Sequence, residues 1–423
     1  MANLYRNATC LAPMVRAGTL PLRLLSLRYG ADLVYSEEII DKRIIATTRV
    51  ENAVLNTIDY VSKKGDSVVF RTCAEEKRKV VFQIGTADAQ LALQAAQHVQ
   101  QDVAAIDINM GCPKHFSIQG GMGAALLKNQ QLACDIVRTL STNLQIPVSA
   151  KIRLLETTEA TDAGAAAIGL HARFTRERPV DSPHWDLLKP VVDALTVPVL
   201  VNGDLYTQDD IAKIRAVSGA SSFLLARGAM ANASVFREGG LLPYTDVVIA
   251  YLAVAAETDN VFQNTKYTLS RMLPGKCDDA SASATVTVAD LYAVKSNEQM
   301  FALWGQRERA AELELVMPHA PQQHQQLAHA YDDSVVLKRQ FFCDVCSVQM
   351  LSDQDVALHV NGKRHKNKLK RQAAEALSSH VARVEEAQTD SVDATGVNEP
   401  APKRSKLTEE STASVPSPTD AVT

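Results

Sequence analysis

Eight short apolar runs punctuate the first 240 residues: 11–15 (LAPMV), 33–39 (LVYSEEI), 80–85 (VVFQIG), 105–111 (AIDINMG), 148–154 (VSAKIRL), 167–174 (AIGLHARF), 197–203 (VPVLVNG) and 222–230 (SFLLARGAM). Most are apolar at consecutive rather than alternate positions, which marks strands buried on both faces, as in a parallel sheet. Between most of them lie helical stretches such as ADAQLALQAAQHVQQ at 87–101. Strands alternating with helices in this number predict an α/β fold, a TIM (β/α)8 barrel over 1–240. A doubly wound open sheet is the alternative. Against it, polar residues (with Met14) sit at the C-terminal end of nearly every run: Glu38, Gln83, Asn109, Lys151, His171, Asn202 and Arg227. A barrel brings such ends to one mouth, whereas an open sheet spreads them along an edge. One connection is short: ETTEATDAGAA between the fifth and sixth runs leaves room for one helical turn at best, and a parallel crossover needs about a dozen residues.

Past the barrel the pattern changes. Residues 241–330 read as a small helical domain with an irregular insert at 275–290. Residues 337–372 form a basic module, and 389–423, rich in Ser, Thr, Pro, Ala and acids, has too little to bury and is read as a disordered tail. The chain has 423 residues, a formal charge of −4 and seven cysteines. An odd, scattered set of cysteines argues for a reducing compartment, hence the cytoplasm. Pro402–Lys406 (PKRSK) adds a possible nuclear signal. No run approaches the ~20 apolar residues that span a bilayer, and the first ten residues lack a secretion-signal layout.

Four features carry chemistry. Asn109-Met110-Gly111-Cys112-Pro113 ends a strand in a rigid loop that presents Cys112, with the glycine loop Gly120-Gly121-Met122-Gly123 following. A small buried cysteine in a turn is the bland alternative. Asn202-Gly203-Asp204 and Ala226-Arg227-Gly228 end the seventh and eighth strands, where barrels commonly hold phosphate. Lys151 and His171 end the fifth and sixth. A lysine in a barrel mouth must be paired or face a ligand, and a cation there suits the anionic form of a reduced flavin. His171 serves the phosphate, the substrate or only the rim. Finally, Cys343, Cys346, His359 and His365 stand in C-x2-C-x12-H-x5-H spacing, which predicts a C2H2 zinc finger holding a structural Zn2+. The basic stretch Lys363, Arg364, Lys366, Lys368, Lys370 and Arg371 reads as a phosphate-gripping helix, or as a solvated charged face.

Taken together, LAPMVRAGTLPLRLL, YSEEIID, VVFQIGTADAQLAL, DINMGCPK, GGMGAALL, KIR, HAR, VNGD, ARGA and NTKYTLSRML resemble the tRNA-dihydrouridine synthases, specifically the eukaryotic type-2 enzymes, over residues 7 to about 270. The finger resembles the matrin type, often associated with double-stranded RNA, and stands where animal type-2 enzymes carry a double-stranded-RNA-binding domain. The resemblance implies a flavoenzyme that binds FMN, is reduced by NADPH or NADH, and reduces uridine in the D-loop of tRNA, at position 20; a monomer is expected. It implies that Pro13, Met14, Gln83 and Lys151 contact the isoalloxazine. His171, Asn202, Gly203, Ala226 and Arg227 would surround ribityl and phosphate, with Asp204 adjoining. Asn109, Lys151 and Arg153 would orient the uracil, and Cys112 would be the general acid. The chemistry agrees: hydride addition at C6 of uracil requires a proton at C5, and an ordinary thiol still holds its proton at neutral pH. The competing readings are an FMN barrel oxidoreductase acting on a small molecule, and a non-catalytic RNA-binding protein.

Overall fold

A computed structural model of the chain describes residues 4–65, 67–154, 163–273 and 286–305, and, near the C-terminus, 342–343, 345, 348–349, 359–362 and 365–369. Residues 1–328 form one compact unit and 329–423 a second. The 275–290 insert lies mostly, and the 389–423 tail wholly, outside the described residues.

The first unit is built on a closed parallel barrel. Its strands are β1 Thr9–Leu11, β2 Leu33–Tyr35, β3 Val80–Gly85, β4 Ala105–Asn109, β5 Val148–Arg153, β6 Ala167–His171, β7 Val199–Asn202 and β8 Ser222–Leu225. Each pairs in parallel with its sequence neighbours, β1 also pairs β8 (Cys10 opposite Leu224), and β2 pairs β3 (Val34 opposite Val80), so no edge remains. An open doubly wound sheet is thereby excluded. Burial explains the sequence pattern: every residue of β3, β4, β7 and β8 is buried or nearly so, because one face meets the barrel interior and the other the surrounding helices.

Several expected strands are shorter than the apolar runs that announced them. The 33–39 run breaks after Tyr35 and resumes as a short strand, Ile39–Ile40, beside β3. The eighth strand stops at Leu225, so Arg227 does not end a strand but begins the helix Arg227–Ala231. Apolar composition continues past the last ladder hydrogen bond because the following turn is also buried against the core.

Local signals set the covering helices. Asp88 caps Ala89–Val99, accepting from the amides of Gln90 and Leu91. Asn129 caps Gln130–Asn143, and Thr207 with Asp210 forms a capping box on Gln208–Ser218, which ends at Gly219 in the left-handed region. The short β5–β6 connection does not interrupt the ladder: Ser149 to Arg153 pair in register with Ala167 to His171. Among the described residues no helix lies in that connection, and Ala150, Ile152, Ala163, Ala165 and Ile168 help line a cavity of about 40 Å3 beside Gln130–Asn143.

A three-stranded antiparallel sheet, Thr47–Asn52, Thr57–Ser62 and Val68–Cys73, escaped the sequence reading. Its strands mix polar and apolar positions, which weakens the strand signal. Polar contacts fasten it to the barrel: Arg49 and the Tyr60 hydroxyl meet Asp102, and Arg23, paired with Glu76, donates to the Arg71 carbonyl. After the barrel, Tyr244–Glu257 packs on the helix Leu20–Arg28, and Phe262–Met272 packs on Tyr244–Glu257 and on Arg227–Ala231. Among the described residues no helix is long and apolar enough to cross a membrane.

Candidate active site

Period-2 alternation along each strand decides what fills the barrel. The lower interior is apolar, built from Cys10, Leu33, Val81, Ala105, Ala167, Leu200 and Leu224. One step up, the inward positions turn polar. Asp107 accepts from Gln83 Nε2 at 2.8 Å and from Ser149 Oγ at 2.7 Å. Burial pushes the Asp107 carboxyl up to about 6, against the opposing pull of these donors and of Lys151. One step further come Asn109 and Lys151, which are register partners, then His171 and Asn202, also partners.

Lys151 lies at the centre of this layer. Burial first, and the Arg153 cation second, lower its ammonium to about 8, while Asp107 and Cys112 oppose the shift. Among the described residues its Nζ makes no hydrogen bond or ion pair. Gly169, its partner on β6, makes room for it: a Cβ there would stand 3.1 Å from Lys151 Cγ and 3.0 Å from Leu224 Cδ1.

The cysteine loop is held from several sides. Asn109 Oδ1 accepts from the amides of Gly111 and Cys112, both at 3.1 Å. Arg153 Nε donates to the Gly111 carbonyl at 2.8 Å, and the amide of Ala124 to the Cys112 carbonyl at 3.0 Å. Ser117, fully buried, places its hydroxyl 3.5 Å from Cys112 Sγ. Gly123 (φ +58°) must be glycine, since a Cβ would come within 2.7 Å of the Cys112 carbonyl oxygen. Behind the loop, burial pushes the Glu38 carboxyl upward, with Asn109 and Lys114 opposing the shift, and its Oε1 is buried without a hydrogen-bond partner.

The other side of the mouth is cationic. Asp204, itself left-handed (φ +51°), binds Arg173 Nη2 at 2.6 Å with one oxygen and Arg227 with the other. Arg173 also donates twice to the Asp181 carbonyl and reaches His171 Nε2 at 3.3 Å. Burial, joined by Lys151, Arg153, Arg173 and Arg227, drives His171 down to about 2, so its ring is neutral. Asn202 Nδ2 donates to the Leu224 carbonyl at 2.7 Å, and Gly203 takes φ +146°.

The structure thus brings Gln83, Asn109, Cys112, Lys151, Arg153, His171, Asn202, Gly203, Asp204 and Arg227 to the strand C-terminal ends. Pro13 and Met14 lie in the loop after β1, where the Met14 carbonyl accepts from the Gly18 amide, and Ala226 borders the interior cluster. Sequence reasoning missed Asp107, Ser149 and Arg173 as parts of the site, and placed Glu38 at the mouth without a role. For Asp107 and Ser149 a signal existed: each stands two residues before an expected site residue, Asn109 and Lys151, and shares its face.

The expected finger is only partly described. Phe342–Cys343 pairs antiparallel with Val348–Gln349, and His365 Nδ1 lies 3.2 Å from His359 Nε2. Cys346 lies outside the described residues, as do Lys363, Arg364, Lys370 and Arg371; Lys366 and Lys368 are exposed. Among the described residues no group of three or more metal-capable side chains occurs.

A family model described as dihydrouridine synthase (Dus) matches residues 10–273. The tRNA-dihydrouridine(20) synthase [NAD(P)+] of Schizosaccharomyces pombe is 43% identical over 289 residues, which are 64% of this chain and 60% of that protein. Its Saccharomyces cerevisiae counterpart is 38% identical over 304 residues, 64% of this chain and 78% of that protein. The tRNA-dihydrouridine(20a/20b) synthase [NAD(P)+]-like protein of Homo sapiens is 30% identical over 240 residues, 53% of this chain and 69% of that one. The chain therefore spans about three fifths of the fission-yeast relative's length. With the closed barrel and its cysteine loop inside the matched residues, the chain belongs to the dihydrouridine synthase family.

Proposed function

We propose that this protein reduces uridine to 5,6-dihydrouridine in the tRNA D-loop, at position 20, as an FMN enzyme drawing electrons from NADPH or NADH. One observation carries the reading: a constrained thiol, Cys112, and an ammonium without a hydrogen-bond partner among the described residues, Lys151, share one barrel mouth. Leaving a half-buried ammonium without a hydrogen-bond acceptor is costly, so the mouth is built for a ligand that accepts hydrogen bonds. A flavin's C2 carbonyl and N1 fit that demand, and the guanidinium groups of Arg173 and Arg227 suit its phosphate.

A flavin held there by Lys151, Arg173 and Arg227 would supply hydride for C6 of uracil. Lys151, Arg153 and Asn109 fix the base. The Cys112 Sγ–H gives its proton to C5, completing the saturated bond. The target base must leave the RNA stack to enter so narrow a mouth. Toward the C-terminus, Cys343, Cys346, His359 and His365 would hold a structural zinc, and the basic stretch from Lys363 to Arg371 would grip RNA phosphates and 2′-hydroxyls.

The test is direct. The purified protein should be yellow and contain about one FMN per chain. With NADPH and an unmodified tRNA transcript it should form dihydrouridine, mapped by mass spectrometry to position 20. A flavin-free protein, or a flavoprotein inert on tRNA, would refute the reading.

A further inference from the structure

Arg16 is the clearest strained residue near the mouth. It stands in the loop after β1 with φ +71°, a conformation uncommon outside glycine. Its amide is pinned by Glu37 Oε2 at 2.9 Å, and the adjoining turn is closed by the Gly18 amide on the Met14 carbonyl at 2.7 Å. The backbone is thus held in an unfavourable shape, and the result is to point an exposed guanidinium toward the helix Phe262–Met272. There it lies 4.6 Å from the centre of the Tyr267 ring. Arg271, one turn on, lies 5.1 Å from the same ring. Both arginines are exposed, and among the described residues neither has a carboxylate within ion-pair distance. The helix itself, FQNTKYTLSRM, contains no acid. Its other cation, Lys266, is already engaged by the carbonyls of Tyr292 and Val294 at 2.9 and 2.7 Å.

Two like charges gathered on one aromatic ring repel each other, and an anion between or beside them turns that repulsion into attraction. Tyrosine keeps both planar cations oriented by cation–π attraction without neutralising them. Strain held at such a place is typical of ligand clamps. We propose that Arg16, Tyr267 and Arg271 form a clamp for the phosphodiester backbone of the RNA substrate, seated where the barrel loop meets the first helices after the barrel. It would grip phosphates flanking the flipped nucleotide while the base occupies the mouth. This rests on the proposed tRNA substrate. The phosphates of the dinucleotide reductant are the competing occupant.

The experiment uses the flavin-loaded full chain. Arg16→Asn, which tolerates the left-handed backbone, is combined with Arg271→Ala. Affinity for an unmodified tRNA transcript is followed by fluorescence anisotropy across a salt series, and flavin reduction by NADPH by stopped flow. The double variant should bind tRNA about ten- to a hundredfold more weakly at 0.1 M salt, and the slope of log K against log salt should fall by about one to two. KM for tRNA should rise with kcat little changed, while flavin content and the rate of flavin reduction stay at wild-type values. The pair Arg16→Lys with Arg271→Lys should restore the slope, because the charges return. Unchanged affinity and slope in the double variant would overturn the clamp. So would slower flavin reduction with unchanged tRNA affinity, which would assign the cations to the dinucleotide. A wild-type enzyme that binds no tRNA would instead strike at the proposed function itself.

Discussion

The two halves of the barrel mouth are built on the same strand-end positions and handle their charges differently. On β3 to β5, Gln83, Asp107, Asn109 and Lys151 offer one ammonium among neutral and hydrogen-bonded groups, with Asp107 partly relieved of charge by burial. On β6 to β8, Arg173 and Arg227 converge on the single carboxylate of Asp204, and burial, joined by the accumulated positive charge, keeps His171 neutral. The first half can cradle a planar, weakly charged ring system. The second is suited to a multiply charged anion, and Asp204 holds its guanidinium groups in place. One ligand that is a ring at one end and a phosphate at the other satisfies both.

The largest break in that comparison comes from the first half. Cys112→Ala should lower dihydrouridine formation by about 10²–10⁴-fold, the usual worth of a positioned general acid. Bound flavin and tRNA affinity should persist; undiminished turnover, read by mass spectrometry of digested tRNA, would remove the thiol from the mechanism. In the second half, Arg227→Ala should cost about 1.5–3 kcal/mol of anion binding, or roughly ten- to a hundredfold in flavin affinity. Titration of the apoprotein with FMN checks this, and an unaltered Kd would place the phosphate elsewhere.

The two halves should also respond oppositely to acid. His171 is a base with a depressed folded pKa, so the unfolded chain takes up its proton first, and apoprotein stability is lost as pH falls below about 6.5. Asp107 is an acid with a raised folded pKa of about 6, so the folded chain binds its proton first, and it adds stability as pH falls through 6 toward 4. In urea denaturation of the apoprotein at pH 5, His171→Asn should recover roughly 2 kcal/mol relative to its effect at pH 8, whereas Asp107→Asn should steepen the acid loss. Parallel pH curves for both variants and wild type would refute the contrast. The smallest effect is expected for Gly169→Ala, whose Cβ would crowd the Lys151 stem and Leu224: about 1 kcal/mol of overpacking, read as a lowered Tm. No change in Tm would mean that the lysine stem moves without strain.

Much of the barrel was legible in the sequence because parallel strands buried on both faces leave continuous apolar runs. The C-terminal ends were legible because a polar residue closing such a run has few structural reasons to be there. The short stretch before Ala167 suggested a defective crossover, yet β5 and β6 pair in full register, since the ladder needs the strands to meet and not a helix to cover them. The antiparallel sheet from Thr47 to Cys73 stayed hidden because its mixed polar and apolar faces give no strong period.

Sequence alone determined the strand number, the cysteine loop and the set of residues carried to one end, because these follow from local periodicity and from what Gly and Pro impose on a turn. Only the tertiary structure decided that the sheet closes through β2 and β3, that Asp107 and Ser149 share the interior with Lys151, and that Arg173, Asp204 and Arg227 lock together. Those contacts join residues far apart in the chain, and their energies depend on burial and on neighbouring charge, which no local stretch of sequence contains.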